Sequence, residues 1–172
     1  MEAFNWPRKQ LVIKEDVMRT ITATVPVNEP GRTDQVRLDR DEVWEGLLDK
    51  ARNAVPYVAG MQECTVLEHG PDGLVREVVI AGERVREEVA FHPKRRVTFS
   101  RRDDRATWLI HNDIGEDERG LTLTFSATME IPEGEEGDGQ AERVREGYVA
   151  ALRSTLARTR ENVAAGRALS TR

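Results

Sequence analysis

Apolar and polar positions along this chain change period three times, and the changes divide it into elements. From Arg19 to Val27 the pattern alternates and is rich in β-branched residues (Thr20, Ile21, Thr22, Thr24, Val25), which predicts a first strand that Pro26 ends or leaves at an edge. A loop carrying Pro30 and Gly31 follows. Leu38 to Val43 then carries a complete helix start. Asp39 can cap, Glu42 can reach back to it, and Leu38 can pack on Val43 as a hydrophobic staple. The helix continues through Trp44, Leu47, Leu48 and Ala51, with Trp44 and Leu48 as core residues, and Pro56 closes the region.

Period two then returns for a long stretch. Met61–His69, Leu74–Ala81, Val85–Phe91, Val97–Arg101, Ala106–Ile114 and Leu121–Ile131 are separated by short turns, including Gly70-Pro71-Asp72-Gly73 and an acidic turn from Gly115 to Gly120. Strands joined so closely form an antiparallel meander. After a Gly/Glu loop over 132–140, the spacing lengthens again. Ala141, Val144, Tyr148, Leu152, Leu156, Thr159 and Val163 recur every three or four residues, the stripe of one long amphipathic helix running to about Ala165. The sheet is the one surface large enough to receive that stripe. The predicted fold is therefore α+β: a helix-grip arrangement in which a curved antiparallel sheet of about six or seven strands wraps a long C-terminal helix, with a short helix after the first strand. Such a grip encloses a cavity.

Alternation also assigns faces. In the last strand Leu121, Leu123, Phe125, Ala127, Met129 and Ile131 point one way. In the fourth, Val85, Val89 and Phe91 share a face with Glu87; in the sixth, Trp108, Ile110 and Ile114 share one with Asn112. Leaving such polar groups unpaired inside costs roughly 2–7 kcal/mol each, so they need partners. Arg76, inward with Leu74, Val78 and Ile80, is the natural one for Glu87. Two readings stand: a buried pair and amide that hold the sheet, or a set that orients the polar end of a ligand. A carboxylate so placed can also act as acid or base, which makes Glu87 the candidate catalytic residue. Tyr148 is a core position whose hydroxyl could enter the cavity.

Composition narrows the class. The 172 residues suffice for one domain with its own core. The net charge of -5 disfavours nucleic acid as a partner, and the arginines at 95, 96, 101, 102 and 105, mixed with Asp103 and Asp104, read as a solvated turn. Lysine is scarce (Lys9, Lys14, Lys50, Lys94), the bias of a GC-rich bacterial genome. The lone Cys64 excludes an internal disulfide, suits a reducing compartment and reads as a small buried residue. His69, His92 and His111 read as solvated, and no metal-ligand spacing or phosphate-binding glycine loop is visible. No apolar run reaches membrane-span length and the N-terminus lacks signal-peptide order, so a cytoplasmic protein is expected. The free edges of an open sheet leave a homodimer possible.

With these elements in order, the chain resembles the START/Bet v 1-like (SRPBCC) superfamily of polyketide cyclase and lipid-transfer proteins. Leu38–Arg52, Cys64–Glu68, Leu74–Val78, Val85–Phe91 and Asn112–Ile114 are similar to its AtaL-like branch. The resemblance gives a domain over 19–166, preceded by an extension (1–18) and followed by a short tail (167–172). It implies a hydrophobic cavity and brings no catalytic motif with it. The expected function is binding of a hydrophobic or aromatic small molecule, polyketide-like or otherwise amphipathic, without a cofactor or metal. Val85, Val89, Phe91, Trp108, Ile110, Phe125 and Met129 would line the site, with polar anchors at Arg76, Glu87 and Asn112 and with Tyr148 on the helix side. The alternatives are a cyclase or dehydratase in which Glu87 moves a proton while Asn112 or Tyr148 holds an oxyanion, and a protein-interaction module with a filled core.

Overall fold

The computed structural model describes residues 15–102 and 107–170. Strand β1 (Asp16–Pro26) is followed by helix α1 (Arg40–Arg52), six strands and the long helix α2 (Glu135–Ser170). The six are β2 (Met61–Gly70), β3 (Gly73–Ile80), β4 (Glu83–His92), β5 (Arg96–Arg102), β6 (Thr107–Asp117) and β7 (Gly120–Pro132). They form one antiparallel sheet in the order β1-β7-β6-β5-β4-β3-β2, the meander expected from the short turns, with β1 returning to pair with β7. Helix α2 packs on β1, β7 and α1, which completes the helix grip. No helix among the described residues is long and apolar enough to cross a membrane.

Several boundaries differ from the sequence reading. β1 begins at Asp16, so 16–18 belong to the sheet and not to an extension; residues 1–14 lie outside the described set. The stretch 132–140 is not a long loop: α2 begins at Glu135, where Glu135, Glu136 and Asp138 occupy the first turn and complement the positive end of the helix dipole. Arg19 on β1 pairs with Asp138 at 2.6 Å and ties that turn to the sheet. At the other end α2 continues past 166, and β6 runs through Gly115 to Asp117, which shortens the acidic turn.

The start of α1 forms as the sequence dictates. The Asp39 side chain accepts from the Glu42 amide at 2.8 Å and Glu42 accepts from the Asp39 amide at 2.9 Å, while Leu38 and Val43 are both buried. Trp44, Leu47 and Ala51 sink into the main core with Leu123, Phe125, Leu152 and Leu156. The two helices meet at Gly46. A β-carbon there would overlap the Thr159 hydroxyl and stand 2.8 Å from its methyl. Gly46→Ala is therefore expected to cost about 1–3 kcal/mol through overpacking, read by urea denaturation. Gly147→Ala is the control: no atom lies within 4 Å of its β-carbon position. It should stabilise by up to about 1 kcal/mol, because alanine is the better helix former.

Candidate functional site

Sheet register brings the polar inward residues into one row. Arg76 on β3 stands opposite Glu87 on β4, Glu87 opposite Arg101 on β5, and Arg101 opposite Trp108 on β6. Side chains directly across antiparallel strands touch, so the alternation of charge along this row becomes a clamp. Arg76 Nε and Nη2 both lie 2.6 Å from Glu87 Oε2, and Arg101 Nε donates to Glu87 Oε1 at 2.5 Å. Glu87 is 1% and Arg76 3% exposed. Arg76 also donates from Nη1 to the carbonyls of Lys50 (3.0 Å) and Ala51 (2.9 Å), at the C-terminal end of α1 where backbone acceptors lack helical partners. The predicted Arg76–Glu87 pair is thus formed, and it joins the sheet to the helix. Arg101, read from sequence as part of a solvated turn, instead turns inward as the second guanidinium on Glu87.

A second group missed in the sequence lies beside this row. Lys50, on the buried stripe of α1 with Val43, Leu47 and Ala51, is 6% exposed. Its Nζ donates to Asn112 Oδ1 at 3.0 Å and sits 4.1 Å from the centre of the Phe125 ring and 5.8 Å from that of Phe99. Burial first, and the positive charge of Arg76 second, lower its pKa from the ordinary 10.5 to about 7, against the opposing pull of Glu87. Its position three residues after Leu47 was a legible sign that it faces inward.

These groups wall a cavity of about 230 Å³ between the sheet and α2. Arg76, Glu87, Trp108, Ile110, Asn112, Phe125 and Tyr148 line it as anticipated in the sequence reading. Lys50, Phe99, Arg101, Met61 and Ala151 line it as well. Four expected lining residues lie elsewhere. Val85 packs with Ala54, Met61 and Val78 in a separate cluster. Val89 belongs to the main core, and Phe91 meets Trp44 edge-on at 6.4 Å, under α1. Met129 packs with Ile21, Ala127 and Ile131. All four are on or beside the inward face, but Val85 is packed with Ala54 and Met61, and Val89, Phe91 and Met129 are packed into the cores beside the helices.

Trp108, 37% exposed, stands at the rim. The Tyr148 hydroxyl bonds to no other described residue, and burial raises its pKa while nearby Arg101 lowers it. His111 faces away from Trp108 and meets Thr98 at 2.9 Å; burial, then Arg96, lowers its pKa. Cys64 is half-buried outside the cavity, its Sγ 3.7 Å from the Arg52 carbonyl. Among the described residues no group of three or more His, Cys, Asp or Glu is placed to hold a metal ion. Larger clefts open outside, such as one of about 460 Å³ between α1 and α2 that is walled by Asp41, Glu42, Glu45 and Asp49.

The charge pattern defines what the cavity can do. Two guanidiniums share one carboxylate, so the polar wall carries surplus positive charge even when Lys50 is neutral. Glu87 has an arginine on each oxygen.

A curved antiparallel sheet gripping a long helix over a partly polar cavity defines the START/Bet v 1-like, or SRPBCC, class. Residues 21–166 match the family described as AtaL, acetylaranotin biosynthesis cluster protein L, and the chain belongs to that family. Solved structures share the fold. The Zhui aromatase/cyclase from a Streptomyces strain is 17% identical, with TM-score 0.62 over 86% of this chain and 96% of that one. The di-domain ARO/CYC StfQ from the steffimycin biosynthetic pathway is 12% identical, with TM-score 0.63 over 86% of this chain and 52% of that one. A Staphylococcus aureus protein of unknown function is 10% identical, with TM-score 0.58 over 87% and 98%. No curated protein matches the chain.

Proposed function

We propose that this protein binds a small amphipathic metabolite of secondary metabolism, with an aromatic or other apolar body against Phe99, Trp108, Ile110 and Phe125. Its electron-rich end, a carbonyl, enolate or phenolate oxygen, lies toward Lys50, Asn112 and the paired arginines. The observation that carries the reading is the surplus positive charge on one wall of an otherwise apolar cavity. The AtaL family and the aromatase/cyclases of similar fold supply its setting. The lone free Cys64 suits a reducing compartment such as the cytoplasm.

Size limits the ligand. About 230 Å³ is below the ~300 Å³ at which ligand pockets usually begin. It still exceeds the ~150 Å³ that accepts a benzene ring. A cavity of this volume, open at the Trp108 rim, suits one substituted ring inside it. A volume this small is also what the filled-core reading expects. Against that reading stands Lys50: a core packed for its own sake would not leave an ammonium with a single hydrogen bond beside a void.

Native mass spectrometry of the purified protein, with analysis of whatever is released on denaturation, tests the proposal. A co-purified single-ring compound with a carbonyl or acidic hydroxyl is the expected result. Ala151→Leu fills the cavity from the α2 side, where residue 151 is only partly buried. It should weaken binding of that compound by about tenfold or more, the equivalent of ~1.4 kcal/mol, while leaving thermal stability near wild type. Unchanged affinity in Ala151→Leu would place the ligand elsewhere.

A further inference from the structure

We infer that Lys50 is an amine nucleophile for carbonyl ligands: the cavity seats a small aldehyde or ketone against Lys50 Nζ, and the two condense to an imine. The inference rests on the cavity being a small-molecule site and names the chemistry of its ligand.

Geometry carries it. Lys50 is buried, lines the cavity and lies over the Phe125 ring and near that of Phe99. Among the described residues its one hydrogen bond goes to a neutral amide, Asn112, and no carboxylate pairs with it within 4.0 Å. An ammonium has three donors and in water would satisfy all of them. The Phe125 ring face attracts the charged form, whereas the loss of water on burial favours the uncharged one. The charged and titratable groups around it add to the bias. Arg76 from β3 and Arg101 from β5 are cationic, and Glu87 from β4, the one carboxylate on the cavity wall among the described residues, is held by both. Tyr148 faces the cavity from α2 with a neutral hydroxyl. In keeping with this setting, burial and then Arg76 bring the Lys50 pKa to about 7. Near neutral pH a large share of the side chain is therefore free amine.

The step balances without another reactant. The Nζ lone pair attacks the carbonyl carbon, the π pair moves to oxygen, and one nitrogen proton is transferred to that oxygen, giving a carbinolamine. The oxygen then leaves as water with the second nitrogen proton while the C=N bond forms. Amine and carbonyl become imine and water. Arg76 and Arg101 line the same cavity as Lys50, so their surplus positive charge would ease the build-up of negative charge on the oxygen.

The experiment uses the full chain, 4-hydroxybenzaldehyde as probe and cyanoborohydride to reduce any imine to a stable secondary amine, followed by peptide mapping by mass spectrometry. Binding of 4-hydroxybenzyl alcohol, which has no carbonyl, is measured in parallel. Only Lys9, Lys14, Lys50 and Lys94 can compete, along with the N-terminal amine. The expected result is labelling of Lys50 on the order of tenfold or more faster than Lys94 at neutral pH, because an ordinary lysine, with a pKa near ~10.4, holds little free amine there. Lys94 is further held charged by Asp41. Lys50→Met should lose the fast label; should that variant not fold, the map of the wild-type chain decides alone. Alcohol binding without preferential labelling of Lys50 would overturn the imine and leave the cavity reading intact. No alcohol binding and no preferential label would overturn both.

Discussion

Glu87→Ala is expected to lower the free energy of unfolding by about 3–5 kcal/mol, the usual cost of removing one partner from a buried ion pair. For a domain of this size that is roughly 6–20 °C in Tm. The cost arises from what remains. Arg76 would be left 3% exposed without a counterion, and Arg101 would lose the bond that turns it inward. The effect reaches α1 as well, because Arg76 holds the carbonyls of Lys50 and Ala51 from the same guanidinium. Glu87→Gln keeps an acceptor and should cost less. Glu88→Ala, the exposed neighbour on the same strand, should change stability by no more than ~0.5 kcal/mol. Chemical denaturation of the three variants checks the series, and a loss below about 1 kcal/mol in Glu87→Ala would show that the clamp does not hold the sheet. Ligand affinities of Glu87 variants must be measured where the protein remains folded, since the same carboxylate serves wall and scaffold.

Lys50→Met is expected to be more stable than wild type at pH 6 by several kcal/mol, with the difference shrinking toward pH 10. The sign follows from linkage. Lys50 titrates near 7 in the folded protein and near 10.5 when unfolded. Above 10.5 the amine is neutral in both states and costs nothing by its charge. Between the two values the unfolded chain holds a proton that the folded one has released, so wild-type stability falls as pH is lowered, by up to about 1.4 kcal/mol per pH unit. Below about 7 both states are charged and the full penalty of burying the ammonium is present. Methionine has a similar shape and no proton to bind, so it removes this dependence. Guanidinium denaturation of both proteins at pH 6, 8 and 9.5 gives the difference directly. A difference that stays flat across this range would mean that Lys50 keeps an ordinary pKa in the fold.

These two experiments probe the same cavity wall from opposite directions. One removes a charge that the fold pairs, and the other removes a charge that the fold leaves almost unpaired. The buried pair serves the fold by itself; the nearly unpaired Lys50 is what the proposed binding role accounts for.

Period and parity made most of the architecture legible. The Asp39–Glu42 capping box, the meander, the stripe of α2 and the inward placement of Arg76, Glu87 and Asn112 follow from residue spacing, because a helix repeats every 3.6 residues and a strand every two. Parity ran out along the strand axis. Val89 and Phe91 face inward as their alternation requires, yet α1 covers that end of the sheet and removes them from the cavity. Met129 faces inward but packs with Ile21 and Ala127. Two signals were present and outweighed by charge. Arg101 has the parity of Val97 and Phe99 but reads as surface in an arginine-rich turn, and Lys50 lies on an apolar helical stripe but is of a type seldom buried.

The sequence by itself determined the fold class, the order of elements and which side of each strand is dry, since these depend on local period and on burying apolar area. The tertiary structure decided how the site is assembled. Only the register across β3, β4, β5 and β6 places two arginines on one glutamate, and only the docking of α1 sets a lysine against Asn112. Such contacts join residues far apart in the chain, and their electrostatic consequences arise from the exclusion of water, which exists only once the sheet has closed around its helix.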